Sequence, residues 1–323
     1  MSSALGDRRE RGLLTFTCAA HAVSDAWHLL YPALLFLVAQ DFGQDYLFLG
    51  VLANVMVATR GVAGVAAGFL ADRASARAMF AAFAVLSAAG CVLAFASGGP
   101  VFLALGLAVL GAGAGIYHPV GMAAITRHLR RPAEALGLHG LAGGVGNSLF
   151  PVVVVSLGVA AGWRTSFLLA AVVSVALVAL LPLVPREFDR PRRVPRDPTA
   201  TLRGAVAALA QRRVLAVYGV AGLRDAAFLG FFTFLSTALA VTAGLGETQV
   251  LGVSTTGLFT SLVIATGAVG SLVGGRLGER FPGERLLLLP TLLPVPLLLL
   301  TGASTGVALL ALTPLVALAF NLG

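Results

Sequence analysis

Long apolar runs separated by short polar segments make up most of the chain. A transmembrane helix needs about 20 predominantly apolar residues. On that measure the sequence predicts ten helices, over 13–39, 46–70, 78–97, 101–126, 136–160, 164–184, 213–242, 250–275, 285–301 and 303–321. The one long polar stretch separates the sixth from the seventh. In it Pro191, Pro195 and Pro198 alternate with Arg190, Arg192, Arg193 and Arg196, the composition of a linker rather than of a span. The expected fold is therefore an all-α integral membrane protein of two pseudo-symmetric bundles. Residues 1–185 form a six-helix bundle, 186–212 an Arg/Pro-rich linker, and 213–323 an incomplete second bundle of four helices.

Composition agrees with this pattern and removes the alternatives. Hydrophobic residues are 58% of the 323, charged residues 11%, and the mean hydropathy is +0.93, whereas a soluble domain carries about a quarter charged residues. The net charge of +8 rests entirely on arginine, and its placement argues against nucleic acid as a partner. Three arginines precede helix 1, two follow helix 2, three follow helix 4, eight run from Arg186 to Arg213, and three follow helix 8. All fall on one face of a ten-helix topology, while the other face offers Arg164 with Asp41, Asp45 and Glu247. The positive-inside rule then puts the N-terminus and the linker in the cytoplasm of a bacterial inner-membrane protein. The apolar run after Arg8, Arg9 and Arg11 exceeds the length of a signal peptide's core and reads as a retained helix. Cys18 and Cys91 lie inside apolar runs, away from any metal-spaced histidines, and read as inert thiols; no metal or cofactor is expected.

An internal repeat supports two bundles. Gly68, Leu70, Ala71, Asp72, Arg73 and Arg77 at the end of helix 2 recur in degenerate form as Gly275, Leu277, Glu279 and Arg280, with the acid–base pair displaced by 207 positions. Asp25 and Asp225, inside helices 1 and 7, are 200 apart. Parallel repeats of this kind hold a substrate near the membrane midplane, between the halves.

An ionisable side chain in the bilayer interior is costly without a partner or a cavity, so each is a site candidate. His21, Asp25 and His28 are spaced i, i+4 and i+7 and share a helix face with Pro32, which can kink helix 1. At 1.5 Å per residue, Asp25 lies roughly 20 Å from the cytoplasmic end, Arg60 and Arg224 about 17 Å, and His118 about 14 Å. This pattern makes Asp25 the proton-binding group, with His21 and His28 as relays. Trp27, Tyr31, Arg60, Tyr117, His118, Arg224 and Asp225 are the expected cavity residues, although neighbours such as Arg224 and Asp225 diverge by about 100° and cannot both face its centre. A fixed Asp25–Arg60 ion pair is the structural alternative. Gly68, Asp72, Arg73, Arg77, Glu279 and Arg280 are expected to latch the bundles at their cytoplasmic ends. The Gly111–Gly115 run and Gly61, Gly64 and Gly68 read as small-residue helix packing. His128 and His139 read as solvated near the interface, and Trp163 as an interfacial anchor.

The helix 2–3 motif, with Gly68, Leu70, Ala71, Asp72, Arg73 and Arg77, resembles the hallmark loop of the major facilitator superfamily. Within it the first half is similar to the fosmidomycin-resistance type of drug exporter, through His21, Asp25 and Pro32 in helix 1 and His118, Pro119 and Gly121 in helix 4. The antiporter signature of helix 5 is matched by Gly137, Gly146 and Pro151, with Phe150 in place of a glycine. An arginine common in helix 4 of proton antiporters is replaced by Leu107, and Val120 holds a position usually polar. The resemblance implies helices 1, 4, 7 and 10 around a central cavity, and a monomeric secondary transporter in the lipid bilayer that exchanges small-molecule substrate and protons by alternating access. Twelve helices are usual there, so two are expected to be missing from this chain. Proton-coupled efflux of small amphipathic or anionic compounds is the first expectation. Uptake of an anionic metabolite by symport, suggested by Arg60 and Arg224, and a non-transporting scaffold or fragment are the alternatives. No enzymatic activity is expected.

Overall fold

The computed structural model describes residues 7–71, 73–186, 204, 207, 209–281 and 288–322. Its elements are α1 (Arg8–Phe42), α2 (Tyr46–Leu70), α3 (Ala76–Phe95), α4 (Pro100–His128), α5 (Pro132–Ala161), α6 (Trp163–Leu180), α7 (Arg212–Thr237), α8 (Thr255–Gly278), α9 (Leu289–Gly302) and α10 (Gly306–Phe320). Eight of them are long and apolar enough to cross a membrane, α6 with its short 3-10 continuation and α7 with a π turn at Ala238–Thr242. The other two, α9 and α10, are shorter apolar helices, and α9 is interrupted at Leu293.

Helix starts are written locally. Asp7 accepts from the amides of Arg9 and Glu10 at 2.9 and 3.0 Å, Asp45 from Phe48 at 2.8 Å, Ser75 from Ala78 at 3.1 Å and Ser254 from Gly257 at 3.2 Å. Pro100 and Pro132 stand in the first turns of α4 and α5, where a missing N–H costs nothing. The eighth helix, expected from residue 250, begins at Thr255 instead. Gln249–Val250 and Val253–Ser254 pair as a two-residue hairpin whose turn residues Leu251 and Gly252 both have positive φ, 53° and 77°. Apolarity alone could not separate this hairpin from the helix that follows.

Among the first six helices, α4 packs along α2 and α3, α5 along α1, and α6 along α3; among the last four, α10 packs along α8. Close approach rests on glycine, as expected for Gly111 to Gly115. A Cβ on Gly115 would collide with the Arg60 carbonyl on α2, and one on Gly113 would come within 2.7 Å of the Ser87 amide on α3. On α2 the same expectation fails at Gly61 and Gly68, whose Cβ positions meet nothing within 4 Å; Gly64 alone touches α4.

Two apolar cores run along the first six helices, and a third joins Leu29 of α1 to Phe232, Leu235 and Leu239 on the α7 side, Val263 of α8 and Ala317 of α10. Hydrogen bonds also join the two sets of helices in the half away from the arginine-rich ends. Ser236 donates to the Ala33 carbonyl at 2.8 Å, the Val152 amide to Ser261 Oγ at 3.0 Å, the Ser254 amide to Ser156 Oγ at 2.8 Å and Gln249 Nε2 to the Ser156 carbonyl at 3.3 Å. Toward the arginine-rich end a cavity of about 620 Å³ separates α5 from α8. Most of the expected linker lies outside the described residues.

Candidate functional site

Asp25 is the central residue of the 35-residue α1, about 25 Å from either end. Its carboxylate collects three partners. His21 Nε2 lies 3.2 Å from Oδ2; His118 Nε2 lies 3.2 Å and Arg60 Nη2 3.9 Å from Oδ1. Arg60 Nη2 is in turn 2.7 Å from His118 Nε2. The helix face predicted from the spacing of His21 and Asp25 is real, and α2 and α4 bring Arg60 and His118 to it. The alternative Asp25–Arg60 ion pair does form, at 3.9 Å, but it is shared: Arg60 Nη2 sits closer to His118 Nε2, at 2.7 Å, than to the carboxylate.

The hydrogen-bond chemistry determines where protons reside. His21 Nδ1 lies 2.6 Å from the carbonyl oxygen of His139, which can only accept, so Nδ1 carries a hydrogen. A contact between His21 Nε2 and Asp25 Oδ2 is then a hydrogen bond only when one further proton lies between them, on the imidazole or on the carboxyl. A proton shared by the pair would sit at the middle of α1. His118 Nε2 is contested, because a guanidinium only donates and an imidazole nitrogen cannot accept from Arg60 while donating to Asp25.

Behind this cluster stands a second layer. The His139 ring stacks on His21 with centroids 3.8 Å apart, His139 Nε2 lies 2.9 Å from the Tyr117 hydroxyl, and Tyr117 donates to the Thr17 carbonyl. His139 is therefore a buried member of the site, 3% exposed, and not the solvated residue expected from its place near a helix end. Its neighbour Gly143 makes the approach possible, since a Cβ there would lie 2.6 Å from Asp25 Oδ2. His139, Gly143 and Gly146 are spaced i, i+4 and i+7 on α5, the same face pattern that marked His21, Asp25 and His28, a signal in the sequence that could have found His139 and Gly143 but was missed.

Several expected cavity residues are core instead. Trp27 donates to Ser174 Oγ at 3.0 Å and packs on Phe150; Tyr31 donates to the Leu49 carbonyl at 2.9 Å; both are essentially fully buried, as is Tyr117. Their polar tips found partners on neighbouring helices, which aromatic character alone could not foretell. His28 does line a small cavity of about 50 Å³, with Met56 and Val57 of α2, Asn147 of α5, Phe228 and Phe232 of α7 and Ile264 of α8. Asn147, Phe228 and Ile264 also line the larger cavity, with Gly140, Ser148 and Asn321. Neither asparagine was singled out from sequence, because a neutral amide in an apolar run carries little signal. Arg224 and Asp225 diverge as expected: Arg224 turns to α10, where Nη2 donates to the Phe320 carbonyl at 3.2 Å, and Asp225 is exposed. Neither is among the residues lining the two cavities.

Of the expected latch, Asp72 lies outside the described residues. Gly68 is exposed on α2; Arg73 returns to the Phe69 carbonyl of its own helix at 3.2 Å, Arg77 begins α3, and Glu279 and Arg280 follow α8 on the surface. Trp163 is not an interfacial anchor but a buried clamp. Its Nε1 donates to Asp41 at 3.3 Å, Arg164 stacks on its ring at 4.3 Å, and Arg164 binds Asp41 at 2.8 Å and the Ser97 carbonyl at 2.8 and 3.1 Å.

Donor atoms of His21, Asp25 and His118 lie within 4.8 Å of one another, a spacing that suits a divalent cation. The Arg60 guanidinium already brings positive charge to that place, 2.7 Å from a would-be ligand.

Comparison with known proteins gives this geometry a context. No curated protein matches the chain. Among solved structures, a bacterial homologue of the human lysosomal transporter Spinster, in an inward-facing and unoccupied conformation, superposes with a TM-score of 0.75 at 16% identity, over 98% of this chain and 74% of that one. The nucleoside transporter NupG gives 0.78 at 14% identity, over 96% of this chain and 80% of that one. A D-xylose–proton symporter gives 0.70 at 13% identity, over 97% and 80%. At such identities the likeness is one of fold. The family model of the Major Facilitator Superfamily matches residues 16–323, nearly the whole chain, and the protein belongs to that superfamily.

Proposed function

We propose that this protein is a proton-coupled secondary transporter of small amphipathic or anionic compounds, working by alternating access in a bacterial inner membrane with the N-terminus in the cytoplasm. The observation that carries the reading is the His21–Asp25 pair. With His21 Nδ1 committed to the His139 carbonyl, the pair must hold one proton to be bonded, and it does so at the centre of α1. Side-chain accessibilities of 11% for His21, 17% for Asp25 and 35% for His118 leave a route for that proton to leave. The half of the molecule away from the arginine-rich ends is bonded shut, and the cavity between α5 and α8 supports a state open toward the cytoplasm.

The direction of transport has two readings. The resemblance of α1, α4 and α5 to the fosmidomycin-resistance type supports efflux by proton antiport. Arg60, held against His118 and Asp25, favours symport of an anion, because protonating the cluster loosens its hold on a guanidinium that an anion could use. In proteoliposomes an imposed pH gradient should drive solute movement, and its sense separates the two. Asp25→Asn should abolish accumulation against a gradient while leaving downhill exchange; an Asn variant that still concentrates solute refutes the proton role.

A further inference from the structure

The donors of the His21–Asp25–His118 cluster are spaced as metal ligands are. A transition-metal ion bonds nitrogen and oxygen at about 2.0–2.1 Å and so holds neighbouring ligand atoms about 3.3 Å apart. His21 Nε2 and His118 Nε2 each lie 3.2 Å from an oxygen of Asp25, and the three donors fall within 4.8 Å of one another. His21 and Asp25 are one helical turn apart on α1, and α4 supplies the third. The His21 ring is also oriented as a metal-binding imidazole is, since Nδ1 donates to the His139 carbonyl at 2.6 Å and Nε2 turns to the carboxylate. Access does not close the cluster, because the three side chains are 11%, 17% and 35% exposed.

Arg60 closes it. Its Nη2 lies 2.7 Å from His118 Nε2 and 3.9 Å from Asp25 Oδ1, in the space an ion bound to both would take. The guanidinium keeps this place although its Nη1 finds no acceptor, so the position does not serve to complete its own hydrogen bonds. At equal distance it repels a divalent cation twice as strongly as a single charge. A proton meets a different situation. It bridges His21 to Asp25 Oδ2, whereas Arg60 faces Oδ1. One carboxylate thus offers a proton a free oxygen, while a metal ion would need the side that the guanidinium fills.

We propose that Arg60 selects the coupling ion: it keeps divalent cations of the zinc and cobalt class off His21, Asp25 and His118 and leaves the His21–Asp25 contact to a proton. The coupling role rests on the transport reading above; the latent metal site rests on the geometry alone. Removing the charge of Arg60 converts a proton site into a metal site.

The test uses the full chain in detergent, purified without a polyhistidine tag. The probe is cobalt(II), whose visible absorption reports its ligands while titration calorimetry counts the ions. Wild type should show no visible band. Arg60→Gln should bind one cobalt ion per chain, at least about a hundredfold more tightly than wild type. Cobalt should also raise the unfolding temperature of that variant. Adding His21→Ala, Asp25→Ala or His118→Ala to Arg60→Gln should abolish the band, and adding His28→Ala should not. Arg60→Lys keeps the charge and should stay silent. Should Arg60→Gln aggregate, Arg60→Met replaces it with the same expectation. Magnesium, which demands oxygen ligands, should bind none of these chains. Equal cobalt binding by wild type and Arg60→Gln, or a folded neutral variant that binds none, overturns the proposal. A band that survives loss of any of the three ligands, or magnesium binding equal to that of cobalt, overturns it too. Cobalt binding in the expected pattern without proton-driven transport by the wild type leaves the metal site standing and sinks the transport reading. Proton-driven transport by the wild type, with neutral Arg60 variants blind to cobalt, does the reverse.

Discussion

Gly143 offers the sharpest test of the proposed proton-holding pair, because a substitution there perturbs the site without replacing any ionisable group. A methyl there would lie 2.6 Å from Asp25 Oδ2 and from His21 Cε1, and 2.8 Å from His21 Nδ1, where ordinary contact begins near 3.4 Å. Both side chains must therefore retreat by about 0.8 Å. They have little room, since His21 is held at 2.6 Å by the His139 carbonyl and is stacked on that residue's ring. Overpacking of a tight site costs about 1–3 kcal/mol. A hydrogen bond to a charged group contributes about 1.5–3 kcal/mol if the His21–Asp25 contact is lost as well. One pKa-scale unit of disturbance, about 1.4 kcal/mol, is tenfold in proton affinity. Gly143→Ala should thus lower proton-driven transport at least tenfold and reduce thermal stability in detergent. Gly144→Ala is the matched control, since its Cβ meets nothing within 4 Å. Assayed side by side in proteoliposomes and by thermal unfolding, equal behaviour of the two alanine variants would refute the argument that α5 is shaped to seat the pair.

Three further expectations concern the scaffold. Arg164→Ala removes an ion pair to Asp41, two bonds to the Ser97 carbonyl and the stack on Trp163; it should cost about 1.5–3 kcal/mol, read as a lower unfolding temperature, with transport per folded molecule preserved. Ser261→Ala leaves the Val152 amide, next to Pro151, without its acceptor at a cost of about 1–3 kcal/mol. It should loosen the closed end, and maleimide labelling of Ala33→Cys in a background lacking Cys18 and Cys91 should rise severalfold; unchanged labelling contradicts a role in closure. Leu251 is 99% exposed at a φ of 53°, so Leu251→Gly gives up no buried surface and relieves a left-handed conformation; a gain of about 1 kcal/mol in unfolding free energy is expected, and a loss would mean the turn is unstrained.

Much of this protein was written in sequence because its strongest signals are local. An apolar run must become a helix in lipid, where every backbone group has to be satisfied within the segment, so the spans were legible without knowing their neighbours. Caps such as Asp45 and Ser75 and the first-turn prolines act on the next three residues only, and the displaced acid–base repeat marks the ends of α2 and α8 because both bundles reuse one pattern. The i, i+4 spacing of His21 and Asp25 likewise fixed a helix face. What that face meets was decided by tertiary structure. Trp27 and Tyr31 share the deep part of α1 with Asp25, yet they turn to Ser174 and the Leu49 carbonyl, while Asp25 turns to His118. His139 became part of the site through its carbonyl and its stacking, neither of which sequence records. The apolar residues could have satisfied hydropathy in many arrangements. Only the packed helices, by offering each buried polar atom one particular partner, determined which side chains meet Asp25 and which arginine N–H groups keep no acceptor.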